Sequence, residues 1–177
     1  MKDITAFIVD QNNTPIYQVA SAVIDKPSFY NHLDQSSIRL KSANKQLKAR
    51  RLKELKIMGQ KTQATLGTIS YIPLKSLYSN GEEANEYVFN QIPDGSIIEI
   101  VRPNWDLTDQ IGTHQNVSHI GFVFRKNGIL IFRDASSLKQ QVSNTPLSEY
   151  LKKYLDSPTI KGINIQIPSS ISYYLGV

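Results

Sequence analysis

At 177 residues, with 40% hydrophobic and 20% charged side chains, the chain is long enough to bury a core of its own, and its composition excludes the disordered and fibrous classes. A formal net charge of +5 suits an anionic partner such as nucleic acid, membrane headgroups or wall polymer, without choosing among them. There is no cysteine, which excludes disulfides, thiolate zinc sites and a cysteine nucleophile within these residues, and no apolar run approaches the roughly 20 residues of a membrane helix.

The amino terminus, MKDITAFIVDQ, lacks a signal-peptide core. Ile4, Ala6 and Ile8 alternate with Thr5, Phe7 and Val9, a polar turn follows at Gln11 to Pro15, and Tyr17 to Ile24 is rich in strand formers. That pattern predicts a hairpin which starts almost at residue 1, as an element does at the edge of a fragment. In DKPSFYNHLDQSS, Pro27 opens a short turn or helix that buries Phe29, Tyr30 and Leu33. Residues 39–61 form a basic cluster in which Leu47, Leu52, Leu55 and Met58 fall at roughly helical spacing. A solvated helix face outweighs a nucleic-acid arm here, because no aromatic residues interleave the charges as a base-stacking platform needs.

Thr68 to Ile72 reads as extended and stopped by Pro73, and Asn80-Gly81 precedes a helix expected over Glu82 to Asn90, with glutamates in its first turn. Pro93-Asp94-Gly95 is a turn, SIIEIV a strand, and RPNWDLTDQIGTHQN a polar loop. VSHIGFVFRKNGILIFRDASS, residues 117–137, reads as two strands joined at Lys126-Asn127-Gly128, where Asn-Gly supplies the positive φ angles of a tight hairpin. Thr145-Pro146 then caps a helix that buries Leu147, Tyr150, Leu151, Tyr154 and Leu155, before a last strand, GINIQI, and a tail, PSSISYYLGV. The expected organisation is one domain, with an amino-terminal region over 1–90 that holds the basic helix, a sheet core over 91–167 and a tail over 168–177.

Three histidines allow each to be weighed. His32 reads as surface, and His114 as solvated or lining the mouth of a cleft. His119 opens an apolar strand, where a polar group is costly to bury unless it is hydrogen-bonded. If Asn127-Gly128 is the turn, positions summing to 255 face each other, so His119 faces Ser136 and Asp134 is its diagonal neighbour on the same sheet face. A one-residue slip would send Asp134 to the opposite face. A carboxylate holding one imidazole nitrogen leaves the other free as a general base, whereas a buried polar pair that merely stabilises a strand end has the same spacing; spacing alone leaves the two level. Ser118 points to the opposite face and Ser136 and Ser137 lack a strand-to-helix elbow, so no serine nucleophile is expected. A metal site built from His114, His119 and Asp134 has no recognised ligand spacing, and no metal or cofactor is expected.

DGSIIEIV, VSHIGFVFRKNGILIFRDASS, PLSEYLKKYL and GINIQI together resemble the carboxy-terminal half of the N-acetylmuramoyl-L-alanine amidase-like branch of the NlpC-type, papain-like cell-wall hydrolases; upstream KDIT, IDKPSFY and YIP are similar to segments of the same branch. The resemblance implies an α+β fold, a papain-like antiparallel sheet with flanking helices, incomplete at its amino terminus. It implies that His119 is the catalytic histidine and that Asp134 stands where the family has its histidine-orienting residue, commonly another histidine. Ser96 stands where the family prefers aspartate after glycine. The family's cysteine begins a helix well upstream of the Asp-Ile-Thr segment, so the resemblance places the nucleophile before Met1. The implied partner is peptidoglycan or a muropeptide, in the periplasm or cell envelope. Read from the residues themselves, Tyr71, Trp105 and His114 are the candidate substrate contacts, and the aromatic rings of Tyr71, Trp105, Tyr173 and Tyr174 are of the kind that stacks on sugars. Two alternatives stand beside amide cleavage at N-acetylmuramoyl-L-alanine: a catalytically inactive wall-binding module, and a D-glutamyl-diamino-acid endopeptidase.

Overall fold

A computed structural model describes residues 1–25, 49–50, 53–54, 57, 63–80, 82–137 and 139–168. The expected helix after Pro27 with His32, the leucines and Met58 of the basic cluster, and the tail tyrosines lie outside the described residues. Within the cluster, Ala49, Arg50, Lys53, Glu54 and Ile57 are helical, and Arg50 Nε donates to Glu54 Oε1 one turn on at 3.2 Å.

The strands are β1 (Lys2–Asp3), β2 (Gln18–Ile24), β3 (Thr65–Pro73), β4 (Tyr78–Ser79), β5 (Glu83–Ala84), β6 (Ile97–Leu107), β7 (Thr113–Lys126), β8 (Ile129–Ser136), β9 (Gln141–Pro146) and β10 (Gly162–Ile167). The helices are short: α1 (Glu86–Asn90), α2 (Thr108–Ile111) and α3 (Leu147–Lys152). The main sheet runs β2-β3-β10-β6-β7-β8-β9, with β1 added to β10, and every register described in it is antiparallel. This is an α+β arrangement dominated by an antiparallel sheet. The chain divides into two compact units, one of residues 1–20, 69–103 and 117–177 and the other of residues 21–68 and 104–116.

In the first unit the last strand lies inside the sheet, which is why GINIQI is buried along nearly its whole length. Ile163 and Ile165 of β10 face the core with Ile98 and Ile100 of β6, Phe132 of β8, and Leu147 and Leu151 of α3. On the other face of β10, fully buried Asn164 is hydrogen-bonded throughout: its Nδ2 donates to Asp3 Oδ2 and the Ser70 carbonyl, each at 2.8 Å, and its Oδ1 accepts from Gln166 Nε2. Ile120, Phe122 and Val142 of β7 and β9 are exposed, as period-two alternation requires when one face of a sheet forms the core.

Four expectations change. The first strand stops at Asp3, and Thr5–Phe7 is a 3-10 turn, because Asp3 Oδ1 accepts from the Thr5 N–H and the buried Thr5 hydroxyl accepts from the Ile165 N–H; these side chains take the place of a strand ladder. The turn expected at Gln11 to Pro15 forms, with Asp10 Oδ1 accepting from the Asn12 and Thr14 N–H groups, but only an isolated Val9–Pro15 bridge closes it, and β2 pairs with β3. The helix expected from Glu82 begins at Glu86: Asn80 adopts φ 53° in a tight β4–β5 hairpin, and the Asn85 carbonyl starts the helix. Finally, Thr145-Pro146 does not cap α3 through a side chain. Both residues end β9, an edge strand that tolerates proline, with Thr145 opposite Phe132 and Pro146 opposite Ile131.

The second unit holds most of the segment read as a polar loop. There β6 continues to Leu107, Thr108–Ile111 forms α2, and Gly112 at φ 74° turns the chain into β7 at Thr113. Asp106 Oδ1 accepts from both the N–H and the hydroxyl of Thr108, and Asn116 joins backbones by accepting from Asn104 N–H and donating to the Gly67 carbonyl. Polar side chains thus carry the cross-links that an apolar pattern would have announced.

Candidate active site

The hairpin β7–β8 turns at Asn127 (φ 51°) and Gly128 (φ 80°), both in the left-handed region that this tight turn demands. Pairing runs from Lys126 opposite Ile129 to Gly121 opposite Asp134, the register expected from the turn. His119 lies two residues beyond Gly121 on the same face. It sits within β7 rather than at its start, since the strand begins at Thr113.

His119 Nε2 and Asp134 Oδ2 are 2.8 Å apart. A carboxylate oxygen only accepts, so Nε2 carries the proton, and in the neutral ring the lone pair is on Nδ1. The Asp134 side chain is 6% exposed and that of His119 32%, so the orienting partner is buried while the imidazole reaches solvent. Such a pair can hold one imidazole nitrogen and offer the other to a reacting proton.

Two aromatic residues not expected at the site lie beside the ring, and a glycine makes room for one of them. Phe132, fully buried between β8 neighbours, meets the imidazole edge-on with centroids 6.2 Å apart and planes at 70°. Tyr150 of α3 lies nearly parallel to it at 6.4 Å and 21°. Gly121 makes room for the Phe132 ring, since a Cβ there would stand 2.4 Å from Phe132 Cε2 and 2.7 Å from the Arg133 carbonyl oxygen. Burial pushes the Tyr150 hydroxyl well above the usual phenol range, helped by its hydrogen bond with Tyr154 and by the charges of Tyr154 and Asp134. The available signals are strand parity, which puts Phe132 on the face of Asp134, and the Tyr150/Tyr154 spacing on α3, which by itself predicts a core stripe.

Hydroxyls near the pair are engaged elsewhere. Ser118 Oγ donates to the Ile100 carbonyl at 3.3 Å, and Ser136 Oγ accepts from the Lys139 N–H at 3.2 Å. Ser143, opposite Asp134 on β9, accepts from Lys139 Nζ. Ser96 is fully buried and closes its own turn by donating to the Pro93 carbonyl at 2.7 Å.

Of the substrate-contact candidates, Tyr71 is in the first unit, 8% exposed, packed with Ala20 and Val101, and its hydroxyl donates to Gln18 Oε1 at 2.7 Å. That places its ring in packing rather than at a free surface. Trp105, half-buried, and His114 are in the second unit, where His114 Nε2 stands 3.8 Å from Asp106 Oδ1. The two hydrogen bonds from Thr108 hold the exposed Asp106 carboxyl below its ordinary range. Among the described residues no three His, Asp or Glu side chains gather as a metal site requires.

No curated protein matches the chain. Among solved structures, a protein from Legionella pneumophila str. Philadelphia 1 is 45% identical with a TM-score of 0.80, the alignment covering 94% of this chain and 55% of that one. An N-acetylmuramoyl-L-alanine amidase from Bacteroides uniformis shares the fold at 20% identity and a TM-score of 0.50, with 95% of this chain and 58% of that one aligned. The chain therefore spans little more than half the length of the solved relatives it matches. The model of one family covers residues 1–160, and on that match the chain belongs to the AmiA-like, N-acetylmuramoyl-L-alanine amidase-like family.

Proposed function

We propose that this chain carries the base and its orienting carboxylate for a papain-like, NlpC-type peptidoglycan hydrolase that cleaves the amide between N-acetylmuramic acid and L-alanine. The observation that carries the reading is the 2.8 Å bond from His119 Nε2 to buried Asp134, which leaves Nδ1 as the free base. Because these 177 residues contain no cysteine and span about half of the solved relatives, the thiol is assigned to a segment outside this sequence. In the proposed reaction Nδ1 takes the thiol proton, and the thiolate attacks the carbonyl carbon of the lactyl group. Collapse of the tetrahedral adduct breaks the C–N bond as Nδ1 returns the proton to the departing alanine nitrogen. Water, deprotonated by Nδ1, then attacks the thioester carbonyl; the C–S bond breaks, the lactyl carboxylate leaves, and Nδ1 returns the proton to the thiolate. Asp134 holds Nε2–H through every step, since Nε2 donates in both the neutral and the protonated ring.

Action in the periplasm or cell envelope follows from that substrate. In the second unit, Trp105 and His114 are the proposed polymer contacts; Tyr71 is the weaker candidate because its ring is buried. The test is a longer reading frame that includes this sequence, incubated with purified peptidoglycan, with soluble muropeptides weighed by mass spectrometry. Release of the peptide with a free L-alanine amine is expected, and activity unchanged in His119→Ala would overturn the assignment. Fragments cut between D-glutamate and the diamino acid would identify the endopeptidase instead. The lack of cysteine favours a second reading, a non-catalytic wall-binding module. That reading requires the 177-residue chain to be retained on peptidoglycan at physiological salt.

A further inference from the structure

The geometry points to Tyr150 as a positioning residue for His119: its ring fixes the plane of the imidazole and covers the bond from Nε2 to Asp134. This inference rests on the proposed role of His119 and extends it to α3, which neither the family match nor the sequence reading assigns to the site.

Strand β7 alone cannot fix the ring. The second side-chain torsion of histidine is broad and roughly two-fold, so a single hydrogen bond at the tip leaves rotation and opening available. Two aromatic neighbours restrict that motion differently. Phe132 presents its edge at 70° with centroids 6.2 Å apart, whereas Tyr150 faces the imidazole within 21° of parallel at 6.4 Å.

Tyr150 is itself held. Its ring lies 4.7 Å from Phe132 and 5.6 Å from Tyr154, tilted by 50° and 59°. Its helix is anchored by Leu147 and Leu151, both fully buried in the same core as Phe132. Burial desolvates the phenol, and the charge of Asp134 adds to the upward push on its pKa. A partly exposed imidazole and a buried carboxylate thus share one aromatic wall. The hydrogen bond between them is sheltered from water on the side where α3 packs.

The test needs no hydrolysis and uses the 177-residue chain. Nitrogen-15 spectra of the histidine side chains, with His119 assigned by His119→Gln, give the solvent-exchange rate of the Nε2 proton in the unaltered chain, Tyr150→Phe and Tyr150→Leu. Tyr150→Phe keeps the ring and is expected to exchange within twofold of the unaltered chain. Tyr150→Leu removes it and is expected to exchange at least tenfold faster while melting cooperatively. A residue that only filled space would lower the melting temperature and leave that exchange rate alone. Exchange within twofold in a folded Tyr150→Leu therefore overturns the proposal. In the unaltered chain, cross-relaxation between the Tyr150 ring protons and the carbon-bound protons of the His119 imidazole is expected, and its absence overturns the proposal even if Tyr150→Leu fails to fold. Because the readout is a proton in the cysteine-free chain, failure of the shelter and failure of muropeptide release are separate outcomes.

Discussion

Gly121→Ala is the sharpest perturbation of the frame behind His119. A β-carbon at that position would lie 2.4 and 2.5 Å from two ring atoms of Phe132 and 2.7 Å from the Arg133 carbonyl oxygen, where ordinary contact is 3.4–4 Å. Relief requires displacement of about an ångström. Phe132 cannot supply it by turning, because it is fully buried and wedged against Tyr150, and the Arg133 carbonyl is backbone inside the β7–β8–β9 ladder. Overpacking of this kind costs about 1–3 kcal/mol, and contact with both a core ring and backbone puts this case near 3. For a chain of this size each kcal/mol moves the melting temperature by about 2–4 °C, so a fall of about 6–12 °C is expected in thermal melts followed by circular dichroism. Gly128→Ala is the control: nothing lies within 4 Å of its added carbon, and only the φ of +80° opposes it, so about 1 kcal/mol is expected. A Gly121→Ala melt within 2 °C of the unaltered chain, or a larger loss at Gly128, would refute the argument that close approach at Gly121 supports the Phe132 ring.

In a longer reading frame that releases muropeptides as proposed, Asp134→Leu is expected to lower turnover by about 100-fold or more and Asp134→Asn by less, because an amide oxygen still accepts from Nε2; equal losses in muropeptide release would contradict the orienting role. Burial first, and then the charge of Asp3, raise the Glu99 carboxyl above its ordinary range, so the folded state holds that proton more tightly than the unfolded one. The ionised group therefore costs stability above its raised pKa: Glu99→Gln is expected to stabilise the chain at pH 7 by less than about 1 kcal/mol, since the group is half-exposed, with the advantage fading as pH falls through the carboxylate range. A benefit that grew on acidification in urea titrations would reverse the sign. Arg125 donates to the Ile92 and Phe89 carbonyls and to Asp94 Oδ1, tying the end of α1 to β7. Arg125→Met is expected to cost about 2 kcal/mol in urea denaturation, and Asp94→Asn, which keeps the carbonyl bonds, clearly less.

The part of the fold that was legible in sequence is the part built from short-range rules. Asn127-Gly128 fixes the turn, strict alternation on each side fixes the faces, and together they place Asp134 diagonal to His119 before any coordinates are known. The misread elements are those in which a side chain replaces a backbone partner. Thr5 accepts from β10, Asn85 spends its amide on the Ser76 carbonyl, and Asn116 bridges backbones at Asn104 and Gly67; none of these contacts leaves a periodic trace. Strand β9 was hidden because Thr145-Pro146 is as good a helix-start signal as an edge-strand ending, and only pairing with Phe132 and Ile131 decides between them. Tyr150 was visible as a core residue but not as a neighbour of His119, since that contact joins strand β7 to a helix about 30 positions later, and helical periodicity gives the face of a residue without its partner.

The register also decides which nitrogen is free. With Gly121 opposite Asp134, the carboxylate approaches His119 from two residues along the neighbouring strand, and what it meets is the tip of the ring, Nε2. A two-residue slip would set Asp134 directly opposite His119, alongside the nearer nitrogen, and a one-residue slip would put it on the other face. In the observed pairing the carboxylate holds the far nitrogen and leaves Nδ1, the one closer to the β7 backbone, unbound to Asp134. Under the proposed mechanism the nucleophile approaches near the strand itself, on the side of the imidazole away from Asp134. That requirement bears on any segment that completes the site: a thiol that could reach only Nε2 would have to displace a buried carboxylate, while one delivered at Nδ1 finds the base already oriented.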